Sequence, residues 1–340
     1  TSPLIQLPDV GLNEMMFFSF FLNLDMPDFD GDNDGLLEDY YQIQLKDYSN
    51  QAWHISDFNS FSVNSYWCGI EADEGYHDGW LQFLDTPSIQ VPADGGSLEV
   101  QMKWAIENTL GAANTDVPEG WIDGWDAVNV RISVDDGVTW ELLIGDDPYD
   151  FYSGYGWAYN REMAGENGTH SLASGWSGDA DWHKVIFDLS YYASQSAIIR
   201  FAFGSDPAYS TADDGHGSPA PELKGVYIDD VTIKNASGTN IVSYTAEDGD
   251  NDQMVASGYS LIDLYHDWDD QYCYDPETFD IKDSYISQED CEGASYVWFV
   301  SPGSMGWGES YLVDLHNFEG KEVKFLIRSI YDNNTDGGNG

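Results

Sequence analysis

The densest arrangement of ligand-like side chains is the stretch DMPDFDGDNDGLLEDYY. Asp28, Asp30, Asp32 and Asp34 alternate along it, and Gly35, Glu38 and Asp39 follow. Carboxylates at every second residue with a glycine turn suit a hard cation that takes about six to eight oxygen ligands, and calcium is the expected ion. The run departs from an EF-hand loop at its last position, where Tyr41 replaces the bidentate glutamate, and no helix pattern flanks it. It is closer to the DxDxDG loops of extracellular calcium repeats. Without a cation, neighbouring aspartates repel one another. The plain alternative is a solvated acidic hairpin tip.

Other acids are weaker candidates for the same chemistry. Asp248, Asp250 and Asp252 alternate, as do Asp332, Asn334 and Asp336 before Gly337; each set reads as a calcium loop or an ordinary acidic loop. Asp229 and Asp230 interrupt the apolar strand GVYIDDVTI. One of them should face inward or toward the sheet edge, and an inward carboxylate needs a partner or a metal. A looser group comprises Asp116, Glu119, Asp123 and Asp126. Glycoside hydrolysis by paired carboxylates would nominate Glu107 with Glu119 or Asp123. In a chain with 61 acidic residues such pairs arise by chance. No G-x-S-x-G, phosphate loop or CxxC is present, so no catalytic residue is expected.

Aromatic side chains offer a different chemistry. Tyr149, Phe151, Tyr152, Tyr155, Trp157 and Tyr159 fall in one glycine-containing loop. Tyr152, Tyr155 and Trp157 could form a platform for sugar rings; the alternative is a lid packed over a core. Cys273 and Cys291 lie in one polar stretch and could form a disulfide, which leaves Cys68 as a small buried hydrophobe. Asn167, Asn235 and Asn333 stand in N-x-S/T sequons.

The elements that must position these groups are strands. Apolar residues alternate at Leu98-Val100-Met102-Trp104 and Val128-Val130-Ile132, among other runs, with Asp-Gly and Gly-Gly turns between. One-sided strands separated by turns imply antiparallel sandwiches, so the expected class is all-β. A repeat supports two related domains. VIFDLSYYASQSAIIRFAFGSD (185–206) aligns without gaps on YLVDLHNFEGKEVKFLIRSIYD (311–332) at an offset of 126. A weaker match lays SYWCG…LDTPSI on SYVWFVSPGS. The second copy lacks middle strands in its own stretch. Residues 1–54 could supply them, with Trp53 on Trp140 and Ile43 on Val130, within the chain or by donation to a neighbouring molecule. A separate N-terminal hairpin packed on the first domain is the alternative. The expected domains are therefore 55–238 and 1–54 with 241–340. The chain ends read as cuts in a longer protein.

Composition narrows the partners. Against 12 Lys and Arg stand 61 Asp and Glu, a net charge of −49. Such a chain repels phosphate backbones and anionic membranes, so neither nucleic acid nor membrane insertion is expected. With 42% hydrophobic residues the chain has the apolar mass for real cores. High salt or a calcium-rich exterior would tolerate the charge.

In order, SYWCG (65–69), LDTPSIQV (84–91), VNVRISVDDGVTWELL (128–143), VIFDLSYYASQSAIIRFAF (185–203) and GVYIDDVTI (225–233) resemble the MAM-like jelly-roll domains of immune-inhibitor-A-type secreted peptidases and cleaved-adhesin proteins. The resemblance covers residues 55–235 well and 241–340 in part. It implies an extracellular, non-catalytic accessory jelly roll with calcium near the IDD motif. The zinc peptidase that accompanies such modules needs HExxH, and the seven histidines never take that spacing. The expectation is a secreted, calcium-stabilised protein for adhesion or surface assembly, binding other copies of itself or surface glycans and proteins. A carbohydrate-binding accessory module is the competing reading.

Overall fold

The structure is a computed structural model. It describes residues 1–11, 15–25, 40–49, 51–112, 123–159, 173–211, 220–247, 254–266, 271–274, 291, 293–294, 296–300, 304–309 and 313–330. The chain is all-β as expected, with a short helix at Tyr155–Tyr159 and helical residues at 291 and 293. It divides into two compact units. One is continuous, Asp47–Leu261; the other is split, Thr1–Lys46 with Ile262–Gly340.

The continuous unit holds two antiparallel sheets, which pack together as a β-sandwich. In the first, Ser196–Gly204 lies between Trp80–Asp85 and Ala127–Ser133, Ile89–Gln90 joins its start, and residues 255–260 pair with Trp80–Asp85. The second runs Asp179–Asp188, Ser97–Ala105, Gly225–Lys234, Ser65–Cys68, Trp53–Ser56. Period-two alternation puts Leu98, Val100, Met102 and Trp104 on the inner face of one sheet and Val128, Val130, Ile132, Ile199, Phe201 and Phe203 on that of the other. Each such side chain contributes about 1.5–3 kcal/mol on burial.

Trp53 packs in this core and its strand pairs with Ser65–Cys68. It is therefore not the split unit's counterpart of Trp140, and residues 47–54 belong to the continuous unit.

The offset of 126 is visible locally in the backbone of the split unit. Short 3-10 turns fall at Ser190–Tyr192 and His316–Phe318. Each is followed by a left-handed residue at the matching place, Ser194 (φ 64°) and Gly320 (φ 72°). The strands Ser196–Gly204 and Glu322–Ile330 then follow.

The N-terminal residues complete this match in a way the sequence reading missed. Ile5–Gln6 pairs with Val323 and Glu322 as Ile89–Gln90 pairs with Ala197 and Ser196. The Ser2 N–H donates to the Phe325 carbonyl (2.8 Å), and the Phe325 N–H donates to Ser2 Oγ (2.9 Å). Thr86 and Ile199 exchange the same two bonds at 2.9 and 3.0 Å. The segment TSPLIQLP is thus the counterpart of DTPSIQVP, a role the sequence reading gave to SYVWFVSPGS. The small core of this unit holds Leu7, Ile43, Leu45, Val313, Leu315, Val323 and Phe325.

Candidate functional site

Three strands of the continuous unit end at one place and deliver three carboxylates there. Glu107 lies two residues past Ser97–Ala105, Asp126 immediately precedes Ala127–Ser133, and Asp206 lies two residues past Ser196–Gly204. The first strand belongs to one sheet and the other two to the opposite sheet. One oxygen from each acid lies within 4.8 Å of the others. That spread is what oxygens on a coordination shell of about 2.4 Å radius can have.

Two of the three acids are closed off from water. Asp126 is 1% exposed, Asp206 is 5% exposed and Glu107 is half-buried. The Tyr76 hydroxyl donates to Asp126 Oδ2 and accepts the Glu107 N–H (3.1 Å). The Asp206 N–H donates to Asp126 Oδ1 (2.9 Å), and Asp206 Oδ1 accepts the Ala208 N–H (3.0 Å). Glu107 Oε2 is buried with no hydrogen-bond partner among the described residues.

Burial, then the charges of Asp126, Asp206 and Asp78, pushes Glu107 up to about 10. Burial pushes Asp126 up to about 7, against hydrogen bonds from Tyr76 and from the Asp206 and Glu107 backbones. Asp206 is raised by burial and then by Asp126 and Asp78. Three acids in one dry site must keep protons or share a cation. An all-oxygen donor set suits a hard cation such as calcium or magnesium, with water completing the shell.

The sequence offers Asp126 as a weak cation ligand and Glu107 as a glycosidase-type carboxylate, while Asp206 enters it only as the last residue of the repeated segment 185–206. Asp123, placed beside Asp126, instead accepts the Tyr152 and Ser153 N–H groups (3.2 and 2.7 Å) and staples a loop. The useful signal was positional: each triad acid stands within two residues of the end of an apolar strand.

At the IDD motif the inward carboxylate is Asp229, while Asp230 is exposed at φ 48° beside a bulge. Asp229 finds protein partners: the Ser62 and Ser65 hydroxyls (3.0 and 3.1 Å) and the Asp230 N–H (2.7 Å). Burial raises it to about 6, against those donors. Glu247 Oε1 takes the Val63 and Asn64 N–H groups and lies 2.8 Å from Ser62 Oγ. These bonds latch the loop at 62–65.

The aromatic loop folds inward. Trp157 is fully buried with its ring 4.8 Å from the Arg131 guanidinium, and Phe151 is buried. The Tyr149 hydroxyl donates to the Leu143 carbonyl (2.7 Å). Tyr155 is half-buried, and Tyr152 alone of the three proposed platform residues stands clear, 82% exposed. Trp157 therefore offers no face to a sugar.

Cys68 is a buried free thiol, and Cys291 is buried in a disulfide; the Cys273 side chain lies outside the described residues. So do Asp28, Asp30, Asp32, Asp34, Glu38, Asp39, Asp248, Asp250, Asp252, Asp332, Asn334 and Asp336, together with Asp116 and Glu119. No helix of the described residues is long and apolar enough to cross a membrane. No protein-family model matches the chain, and no curated protein matches it in sequence.

Proposed function

We propose that this chain is a non-catalytic β-sandwich protein of the cell exterior, stabilised by calcium and serving adhesion or surface assembly. The observation that carries this reading is the buried triad Glu107, Asp126 and Asp206, whose oxygens converge from both sheets. A cation held there would tie the sheets together at one end and offset the repulsion of three desolvated carboxylates.

Sequence position adds support. Asp126 immediately precedes its strand, and Asp39 immediately precedes Tyr40–Asp47; Asp206 matches Asp332 at the offset of 126. The disulfide of Cys291 suits an oxidising exterior. The resemblance of the strand series to MAM-like accessory domains points the same way, and the charge of −49 disfavours nucleic-acid partners.

Calcium titration by calorimetry tests the reading. At neutral pH, binding at the triad should be saturable and release protons, because Glu107 and Asp126 are raised to about 10 and about 7. The apparent heat should therefore change with the ionisation enthalpy of the buffer. A titration with no saturable heat in the wild type, or one unchanged in Asp126→Asn, would sink it.

A further inference from the structure

Each strand end that delivers a triad acid also carries an apolar side chain toward solvent within three residues of that acid. Leu110, three residues past Glu107, is 84% exposed, and Tyr209, three past Asp206, is 41% exposed. Trp125, immediately before Asp126, is half-buried. On a chain with 61 acids, apolar groups flanking all three carboxylates form a rim suited to a ligand. Tyr209 is also held at φ 68°, a costly conformation for a bulky residue and one found most often at binding sites.

The aromatic part of this rim is braced. Trp125 Nε1 donates to the Leu110 carbonyl (3.0 Å), which lays the indole across the loop that follows Glu107. The Tyr155 ring meets the indole edge-on at 6.0 Å and 71°. The Tyr155 and Gly156 N–H groups donate to the Gly124 and Trp125 carbonyls (2.8 and 3.0 Å), so both rings are fixed to one backbone. Glu107, the least buried of the three acids, opens the triad on this side.

Calcium takes about six to eight oxygens. Asp126 and Asp206 also accept hydrogen bonds from Tyr76 and from the Asp206 and Ala208 N–H groups, so three carboxylates leave room in the shell for outside oxygens. Three carboxylates around one dication keep a net negative charge, which repels carboxylates and sulfates and admits neutral hydroxyls. Neighbouring hydroxyls of a sugar can ligate an ion together while the C–H face of the ring lies on an aromatic side chain.

We infer that this end of the continuous unit binds a neutral glycan, with two vicinal hydroxyls completing the calcium shell and the sugar ring resting on Trp125 beside Tyr155. The inference deepens the adhesion reading above and rests on it for the ion.

The probes are three neutral polysaccharides, yeast mannan, galactomannan and arabinoxylan, cast in native gels with calcium or with chelator; hyaluronan is the anionic control. At least one neutral polysaccharide should retard the full chain in calcium, and none in chelator. Trp125→Ala should weaken that retardation about tenfold while calorimetry still records its calcium heat, which confirms the fold. Trp125→Phe, which keeps a ring, should recover most of the binding. Retardation that persists in chelator, full retardation of Trp125→Ala, or retardation by hyaluronan alone would overturn the inference. Calcium heat in the wild type with no retardation by any of the three would overturn it and leave the calcium reading standing. Absence of both would take down the calcium reading as well.

Discussion

At Asp126 two demands meet: a nearly buried carboxylate accepts the Tyr76 hydroxyl and the Asp206 N–H, and it also neighbours two other acids. The consequence is a pH dependence with a definite sign. Asp126 and Glu107 are raised to about 7 and about 10, whereas unfolded Asp and Glu titrate near 4. The folded, cation-free protein therefore binds more protons than the unfolded chain between these values, and its stability falls as pH rises from about 4 toward 10. Urea midpoints in chelator should decline across pH 5–8 in the wild type and decline less in Asp126→Asn; a flat wild-type profile would contradict the burial argument. Asp229, raised to about 6, adds to the same slope only up to that pH. Sequence alone exposed which residues were acidic but not which were dry. Glu107, Asp126 and Asp206 converge only because three strand ends meet, whereas the conspicuous aspartate runs drew attention through local spacing.

Strands were the most legible elements, because period-two alternation survives directly as burial along Ser97–Ala105 and Ser196–Gly204. Phe201→Ala, deep in that core, should cost about 3–5 kcal/mol in urea unfolding. The repeat was also readable, and its backbone explains one substitution pair. Position 194/320 is left-handed in both copies, occupied by Ser in one and Gly in the other. Gly320→Ala should destabilise the split unit by about 1 kcal/mol, since a Cβ there is strained and would approach Asp9 Oδ1 at 2.8 Å. No change in the denaturation midpoint would show that the turn relaxes freely. The counterpart of 85–92 was misplaced for a physical reason. Its partner strand Glu322–Ile330 is over 300 residues from Thr1, whereas SYVWFVSPGS lies close to that strand along the chain. Loop aromatics misled similarly, because a tyrosine- and tryptophan-rich loop has the same composition whether it opens to a ligand or, like Trp157, closes on Arg131.

At the scale of the molecule, a continuous unit interrupts a split one, between strands that share a sheet in the latter. An insertion of this kind carries its own core, so residues 47–261 expressed alone should unfold cooperatively with a native near-ultraviolet spectrum. A broad transition without that spectrum would mean the fragment depends on the rest of the chain. The charge of −49 was plain from composition, but its location was not: what matters for the function proposed here is the small share buried between two sheets. Exposed acids respond to any salt by screening, while a desolvated triad responds to a bound divalent ion. The most direct test is differential scanning calorimetry of the full chain at high ionic strength, with about 5 mM calcium or excess chelator, above the range typical of extracellular sites. With a dissociation constant near 10⁻⁴ M, calcium should add about 2 kcal/mol and raise the transition by roughly 5 °C. In Asp126→Asn/Asp206→Asn that rise should largely disappear. Identical transitions with and without calcium, or an undiminished rise in the double variant, would contradict the proposal that the buried triad holds the stabilising ion.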